Sequence, residues 1–265
     1  MAEIHVIPDL DEDKDRNFIT ALARGLDVLR CFRPNESVLT NTDIAKRTGL
    51  PKPTVSRLIY TLCRLDYLSL DEKSGGYRLG AGVLSLGFGV LSGMEIAERA
   101  KEEMLRLRDG PNSYITCALA ERHLTDAIYI AVERSCEDVS LRLSIGSRLP
   151  LFFSAIGRAI LVGLDEAALE AAFACGAEFL PDLVAEQKES YAEAKHQYEK
   201  VGFCSGFGDW RPDVNGVAVP VRGLDGRVFG LNVGGPSFHV KPDELETVYG
   251  PMLVKSAELL GMNPR

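Results

Sequence analysis

The side chains best equipped for chemistry fall in one short stretch: Lys52, Pro53, Thr54, Ser56, Arg57 and Tyr60, with Lys73 further on. They contain no nucleophile paired with a base and no set of metal ligands. Apart from Pro53 they are hydrogen-bond donors, of the kinds that meet phosphate oxygens and base edges in a DNA groove. Val55, Leu58 and Leu62 recur between them at helical spacing, so the polar set occupies the exposed side of a helix. The chemistry this predicts is recognition of a duplex. Arg57 can read a guanine edge with two bonds, whereas Lys52 and Lys73 suit phosphate.

The surrounding residues predict the elements that hold this helix. Ile44 and Ala45 give a preceding helix its apolar pair, and Gly49 suits a helix stop because it tolerates the left-handed conformation. Pro51 and Pro53 lack amide hydrogens, so they fit before and inside the first turn of the next helix. Residues 68–79, turning at Lys73-Ser74-Gly75-Gly76, read as a hairpin, the wing of a winged helix-turn-helix. An earlier helix over 18–32 places Ile19, Leu22, Leu26, Val28, Leu29 and Phe32 on one broad face against the other two. A plain helical hairpin with a solvated polar face is the rival reading of this segment, and the wing and the charge both count against it.

The net charge of −8 is unevenly spread. Residues 20–80 carry ten Lys and Arg against six Asp and Glu, while 1–19 carry two against six and 81–265 eighteen against twenty-six. Phosphate neutralisation is therefore available only where the winged module is expected. Arg24 and Arg47 read as solvated or intradomain charges, Arg24 the more so. The six cysteines show no CxxC spacing and the four histidines pair with none of them, so no structural metal and no cofactor is expected. Apolar runs are broken well short of a membrane span, and the acidic N-terminus is unlike a signal peptide. The expected place is the cytoplasm, with no membrane partner.

Further along, 81–108 is rich in Leu, Ala, Glu and Met and reads as a connecting helix with Ile96, Ala97, Ala100, Met104 and Leu107 as its stripe. Strands are predicted at 114–121, 126–132 and 138–145, and helices at 154–164, 166–175 and 186–201. Strands return at 202–208, 215–222 and 227–234, and a helix over 243–261 closes the chain. The fold class is α+β, with these divisions: an acidic tail (1–16), a winged helix-turn-helix DNA-binding domain (17–80), a linker helix (81–108) and a C-terminal sensor-like domain (109–265).

With both halves laid out, the chain resembles the IclR family of bacterial transcriptional regulators. The resemblance rests on Ala23-Arg24-Gly25-Leu26-Asp27-Val28-Leu29, on Ile44-Ala45 and Thr48-Gly49-Leu50-Pro51-Lys52 with Thr54-Val55 and Arg57-Leu58, and on Tyr77-Arg78-Leu79-Gly80. Leu149-Pro150-Leu151, Ser154-Ala155, Gly157-Arg158-Ala159 and Ala218-Val219-Pro220-Val221 complete it. It implies a C-terminal GAF-like effector-binding domain, operator binding as a dimer or tetramer, response to a carboxylic acid or aromatic catabolite, and contact with RNA polymerase. By position it puts Phe153, Ser154, Ala155, Ser205, Asp209, Asn215, Gly216, Asn232 and Gly234 near the effector. Asn215 and Asn232 can each donate and accept. Trp210, in a Gly/Pro-flanked loop, reads either as a lid or as a hydrophobic plug. The family often has His at Phe152 and Ser at Gly234, so a less polar or more open pocket is expected.

Two rivals rest on thiols. Cys117 and Cys204 lie in expected strands of the sensor domain, where a reactive cysteine would make the protein a redox-sensing regulator or a GAF-like thiol enzyme. No His or Lys is close in sequence to either thiol, so no catalytic residue is expected.

Overall fold

In the computed structural model, residues 17–33, 36–137 and 143–261 are described. The tail at 1–16 and most of the strand expected over 138–145 lie outside the described residues. Two compact units form, Met1–Gly93 and Met94–Arg265.

The first unit holds α1 (Thr20–Arg30), α2 (Asn41–Thr48) and α3 (Lys52–Arg64), then β1 (Leu68–Asp71), β2 (Gly76–Leu79) and α4 (Ala81–Ser92). α2 begins in a capping box: Asp43 N–H donates to Thr40 Oγ1 (3.2 Å) and Thr40 N–H donates to Asp43 Oδ2 (2.9 Å). Donation from the Thr40 hydroxyl (2.6 Å) and from its amide holds the Asp43 carboxyl below its ordinary range. Gly49 ends α2 at φ +70°, and Pro53 sits in the first turn of α3. Val28, Cys31, Ile44, Val55, Ile59 and Leu68 are buried between the helices and the wing. Truncating Ile44 to Ala would cost roughly 2–5 kcal/mol. In the wing, Leu68 pairs with Leu79 and Asp71 with Gly76, across a turn where Gly75 takes φ +69°.

Two expectations change here. The broad face of α1 is in fact two stripes. Val28 and Cys31 enter the core, while Ile19 and Leu22 are 65% and 61% exposed and Leu26 is also exposed. Ile19, Leu22 and Leu26 have helical spacing, but a helix can turn only one stripe to a small core, and Leu29 packs there with Val28 and Cys31. The stretch 81–108 is two helices, α4 and α5 (Glu95–Arg108), belonging to different units. α4 buries none of its residues and exposes Leu84, Leu86, Phe88 and Val90. α5 buries Ile96, Ala100, Met104 and Leu107, the stripe read from sequence, in the core of the second unit.

The second unit is built on a six-stranded antiparallel sheet in the order β5-β4-β3-β8-β7-β6. Its strands are β3 (Thr116–His123), β4 (Asp126–Glu133), β5 (Arg148–Pro150), β6 (Cys204–Phe207), β7 (Val214–Arg222) and β8 (Val228–Pro236). α6 (Ala155–Gly163) packs on β7 and β8, with α7 (Glu166–Phe179) and α8 (Val184–Val201) behind it. α5 packs on β3 and β4. The chain closes through a short α9 (Pro242–Glu244) and a π-helical turn (Leu245–Tyr249) into α10 (Gly250–Leu259), which packs on β7 and β8. Side chains alternate across a strand, so Ala118 and Ala120 join the α6 core while Cys117 and Leu119 are buried on the other face. Phe152 belongs to the α6 core too. It packs 5.5 Å from Phe173 and does not line the pocket described below.

Candidate nucleic-acid interface and ligand pocket

α3 carries Lys52, Pro53, Ser56, Arg57 and Tyr60 exposed, with Thr54 half-buried, and Lys73 stands exposed in the wing turn. The packing follows from Val55 and Ile59, which are buried and turn the polar side outward. Ser56 accepts a hydrogen bond from Asn41 Nδ2 (2.7 Å), which ties the start of α2 to the exposed side of α3. The Lys52 end of α3 has no side-chain cap, leaving its first amides open to a phosphate. Arg47 is internal: it donates to Cys31 O (2.9 Å) and pairs with Glu36 (2.8 Å), fastening α1 to α2. Thr54 and Arg57 also reach the edge of an apolar groove of about 930 Å³ bordered by Leu22, Leu26, Leu58, Leu65 and Leu86.

In the second unit a small cavity of about 20 Å³ lies between the start of α6 and the sheet. Its floor is a row of glycines. Gly206 pairs with Gly216 across β6 and β7, and Gly216 with Gly234 across β7 and β8. A Cβ on Gly206 would stand 3.0 Å from the Ala155 nitrogen, and one on Gly234 only 2.7 Å from Asn215 O. The row therefore gives room that any side chain would fill. At one end Ser154 caps α6, accepting from Gly157 N–H (3.2 Å) and donating to Pro150 O (2.7 Å). The Ala155 and Ile156 amides precede the helix's own bonding ladder, and both residues line the cavity. At the other end are Thr116, Tyr129 and Asn232. Tyr129 and Asn232 both line this end, and burial raises the Tyr129 phenol above its ordinary value. Asn232 Oδ1 is buried without a partner among the described residues. Leu143, Leu149 and Trp210 complete the walls.

The residues expected at an effector thus divide. Ser154, Ala155, Trp210, Asn215, Gly216, Asn232 and Gly234 line the cavity. Phe153 packs against the α6 core instead. Ser205, in β6, is turned to α8, where its hydroxyl accepts from Gln197 Nε2 (2.7 Å) and its amide donates to Gln197 Oε1 (2.8 Å). Asp209 is on that side too, ion-paired with Arg158. Asn215 sits at the rim, but its register opposite Gly235 turns its amide away from the glycine row, to donate to Val240 O (2.9 Å). Thr116, Tyr129 and Gly206 were missed from sequence. Their signal is register, since Thr116 faces Gly234 and Tyr129 faces Ala120 only once the strand order is known.

Cys117 and Cys204 are fully buried, on opposite faces of the sheet. Burial pushes the Cys204 thiol up to about 12 and raises that of Cys117 further. Neither environment favours a thiolate. Among the described residues, no group of three or more His, Cys, Asp or Glu could hold a metal. Among them, too, no single helix is long and apolar enough to cross a membrane.

A winged helix-turn-helix with a basic exposed helix, carried on one chain with an α+β unit, defines a DNA-binding transcriptional regulator. Comparison with known proteins specifies which kind. Residues 21–72 match the IclR helix-turn-helix domain and residues 88–260 the C-terminal domain of bacterial transcriptional regulator IclR. The chain belongs to the IclR family. It is 31% identical to the Pca regulon regulatory protein of Pseudomonas putida over 253 residues, covering 92% of this chain and 83% of the relative. An IclR-family regulator from Brucella abortus superposes with a TM-score of 0.82 at 38% identity, over 98% of both chains. An IclR homologue from Microbacterium hydrocarbonoxydans, complexed with 4-hydroxybenzoate, shares the fold at 21% identity and a TM-score of 0.64, over 91% of this chain and 97% of that one.

Proposed function

We propose that this chain binds an operator through α3 and the wing, and that a small carboxylate held in the α6 cavity sets its affinity for that operator. The observation that carries the effector half is the meeting of the Ala155 and Ile156 amides with the glycine row. A helix N-terminus with open amides suits an anion, and the row supplies space beside it. Among the lining residues there is no Lys, Arg or His to do this by charge. The ligand-bound structure of the Microbacterium protein supports placing an aromatic acid on the test panel. Because the cavity now holds a single water-sized group, binding requires the Trp210 loop to move. Coupling then follows from the difference in affinity between the open and closed forms.

The working form is a homodimer or a dimer of dimers in the cytoplasm. The apolar groove between α1 and α3, with Leu22, Leu26 and the bare flank of α4, provides a face for a second copy. Two copies put two α3 helices on half-sites about one duplex turn apart, or a multiple of it. RNA polymerase contact belongs to this reading. Catalysis does not: Cys117 and Cys204 are closed to solvent, and burial holds both thiols neutral.

The experiment is a thermal-shift screen of the full chain against oxoacids, aromatic acids and sugars, followed by operator band shifts with any hit. A carboxylate at 100 times its Kd adds about 2.7 kcal/mol of stability. A hit that moves the melting temperature but leaves operator affinity unchanged sinks the regulatory reading. Binding restricted to uncharged sugars sinks the carboxylate.

A further inference from the structure

Ser56 stands exposed on α3, and a half-buried neighbour on α2 fixes how its hydroxyl can bond. Asn41, the first residue of α2, donates from Nδ2 to Ser56 Oγ (2.7 Å), across a separation of 15 residues in sequence. A serine hydroxyl has one proton to give and two lone pairs with which to accept. Asn41 fills one lone pair, and accepting that bond polarises the O–H and strengthens it as a donor. Other hydroxyls of this unit spend their protons on their own helix: Thr48 donates to Ile44 O (2.8 Å) and Thr61 to Arg57 O (3.0 Å). Ser56 donates to no group among the described residues. Val55 and Ile59 turn into the core, so the Ser56 proton is left on the side of α3 that faces away from the protein.

The bases differ in what they offer such a proton. In the major groove guanine presents N7 and O6 and thymine presents O4, all acceptors, whereas cytosine presents only its N4 amino donor. We infer that Asn41 is a positioning residue for operator recognition: it holds Ser56 as a donor, so that the base facing Ser56 is guanine or thymine and cytosine is rejected. This rests on the reading that α3 binds the operator. The selectivity does not lie in Ser56 alone, because an unheld hydroxyl rotates to suit a donor or an acceptor. It is imposed from α2, by the amide that fills the lone pair. A carboxylate in place of that amide has no proton to give. It would take the Ser56 proton and leave only lone pairs for the base.

The test is selection of duplexes from a randomised library by the full chain, followed by competition band shifts on the enriched half-site and its single-base variants. For the wild-type protein, one half-site position should hold guanine or thymine, and cytosine there should bind about three- to tenfold more weakly. Asn41→Asp places an acid in the first turn of α2, where the helix tolerates it. It should move the preference at that one position toward cytosine or adenine, even where the added charge lowers affinity for every duplex. Asn41→Ala should flatten the preference, and Ser56→Ala should remove it. An unchanged preference at every position in both Asn41 variants overturns the inference and leaves the operator reading standing. So does a loss in Ser56→Ala that is uniform across sequences, which puts the hydroxyl on phosphate. A library from which the wild-type chain enriches no sequence overturns the inference together with the assignment of α3 as operator reader.

Discussion

Arg158 and Asp209 join α6 to the loop that carries Trp210. The Arg158 guanidinium, on α6, forms an ion pair with the Asp209 carboxylate in the loop between β6 and β7. The same side chain donates to Ser205 O (2.8 Å) and to Ser190 Oγ (2.9 Å), so one residue joins α6, α8, β6 and the loop. Asp209 precedes Trp210, which lines the cavity, and Gly208 before it takes φ +80°, a conformation suited to glycine. Asp209→Ala should therefore loosen the loop and cost about 1–2 kcal/mol, more than an exposed pair would. Trp210 is the only tryptophan, so its fluorescence reports the loop directly. Emission should shift to longer wavelength and ligand association should quicken. An unchanged spectrum with unchanged association would mean that the pair does not hold the loop.

The glycine row separates room for the ligand from strain in the backbone. Gly216→Val should fill the cavity floor and remove the thermal shift given by any ligand, with operator binding by the ligand-free protein retained. Gly234→Ala puts its Cβ 2.7 Å from a backbone carbonyl, which cannot swing aside. That variant should lose about 1–3 kcal/mol of stability in chemical denaturation. A Gly216→Val protein that still binds ligand would move the site elsewhere.

On α3 and the wing, two substitutions should fail differently. Arg57→Ala should cost about 1–3 kcal/mol of discrimination between operator and mutated operator. Lys73→Ala should weaken binding to all duplexes alike and lower the slope of log affinity against log salt by about one. Competition band shifts across a salt series measure both. If Lys73→Ala changes sequence preference and leaves the slope alone, the wing reads bases.

The thiols should divide by burial. Cys136 is exposed, Cys63 and Cys175 are half-buried, and Cys31, Cys117 and Cys204 are buried. A raised pKa keeps a thiol neutral, so Cys117 and Cys204 should ignore a disulfide reagent at pH 8 and react only once the protein unfolds. Cys136 should react within the dead time of hand mixing. Rapid labelling of Cys204 in the folded protein would return redox sensing to consideration.

Legibility from sequence tracked the range of the signals. The helix-turn-helix rests on neighbours: Gly49 as the left-handed stop, Pro51 and Pro53 at a helix start. Each acts within a few residues, so type and spacing were enough. Which stripe of α1 enters the core was not legible, because Ile19-Leu22-Leu26 and Val28-Cys31 both have acceptable spacing and only the volume between α2 and α3 decides. The break between α4 and α5 was hidden for a similar reason. Apolar and helix-favouring residues continue through it, and Gly93 alone is a weak stop.

The sequence by itself determined a basic recognition helix, its wing and an α+β partner unit, since local periodicity, caps and charge are properties of the chain. Tertiary structure decided what the cavity is made of. Ser154 and Ala155 meet Gly206, Gly216, Gly234 and Asn232 because the sheet runs β5-β4-β3-β8-β7-β6, an order that brings distant strands side by side. Register then set which neighbours face inward: Gly216 and Asn232 look toward α6, while the Asn215 amide, one residue out of phase, reaches Val240. A shift of one residue along a strand reverses its faces, and long-range pairing fixes that shift.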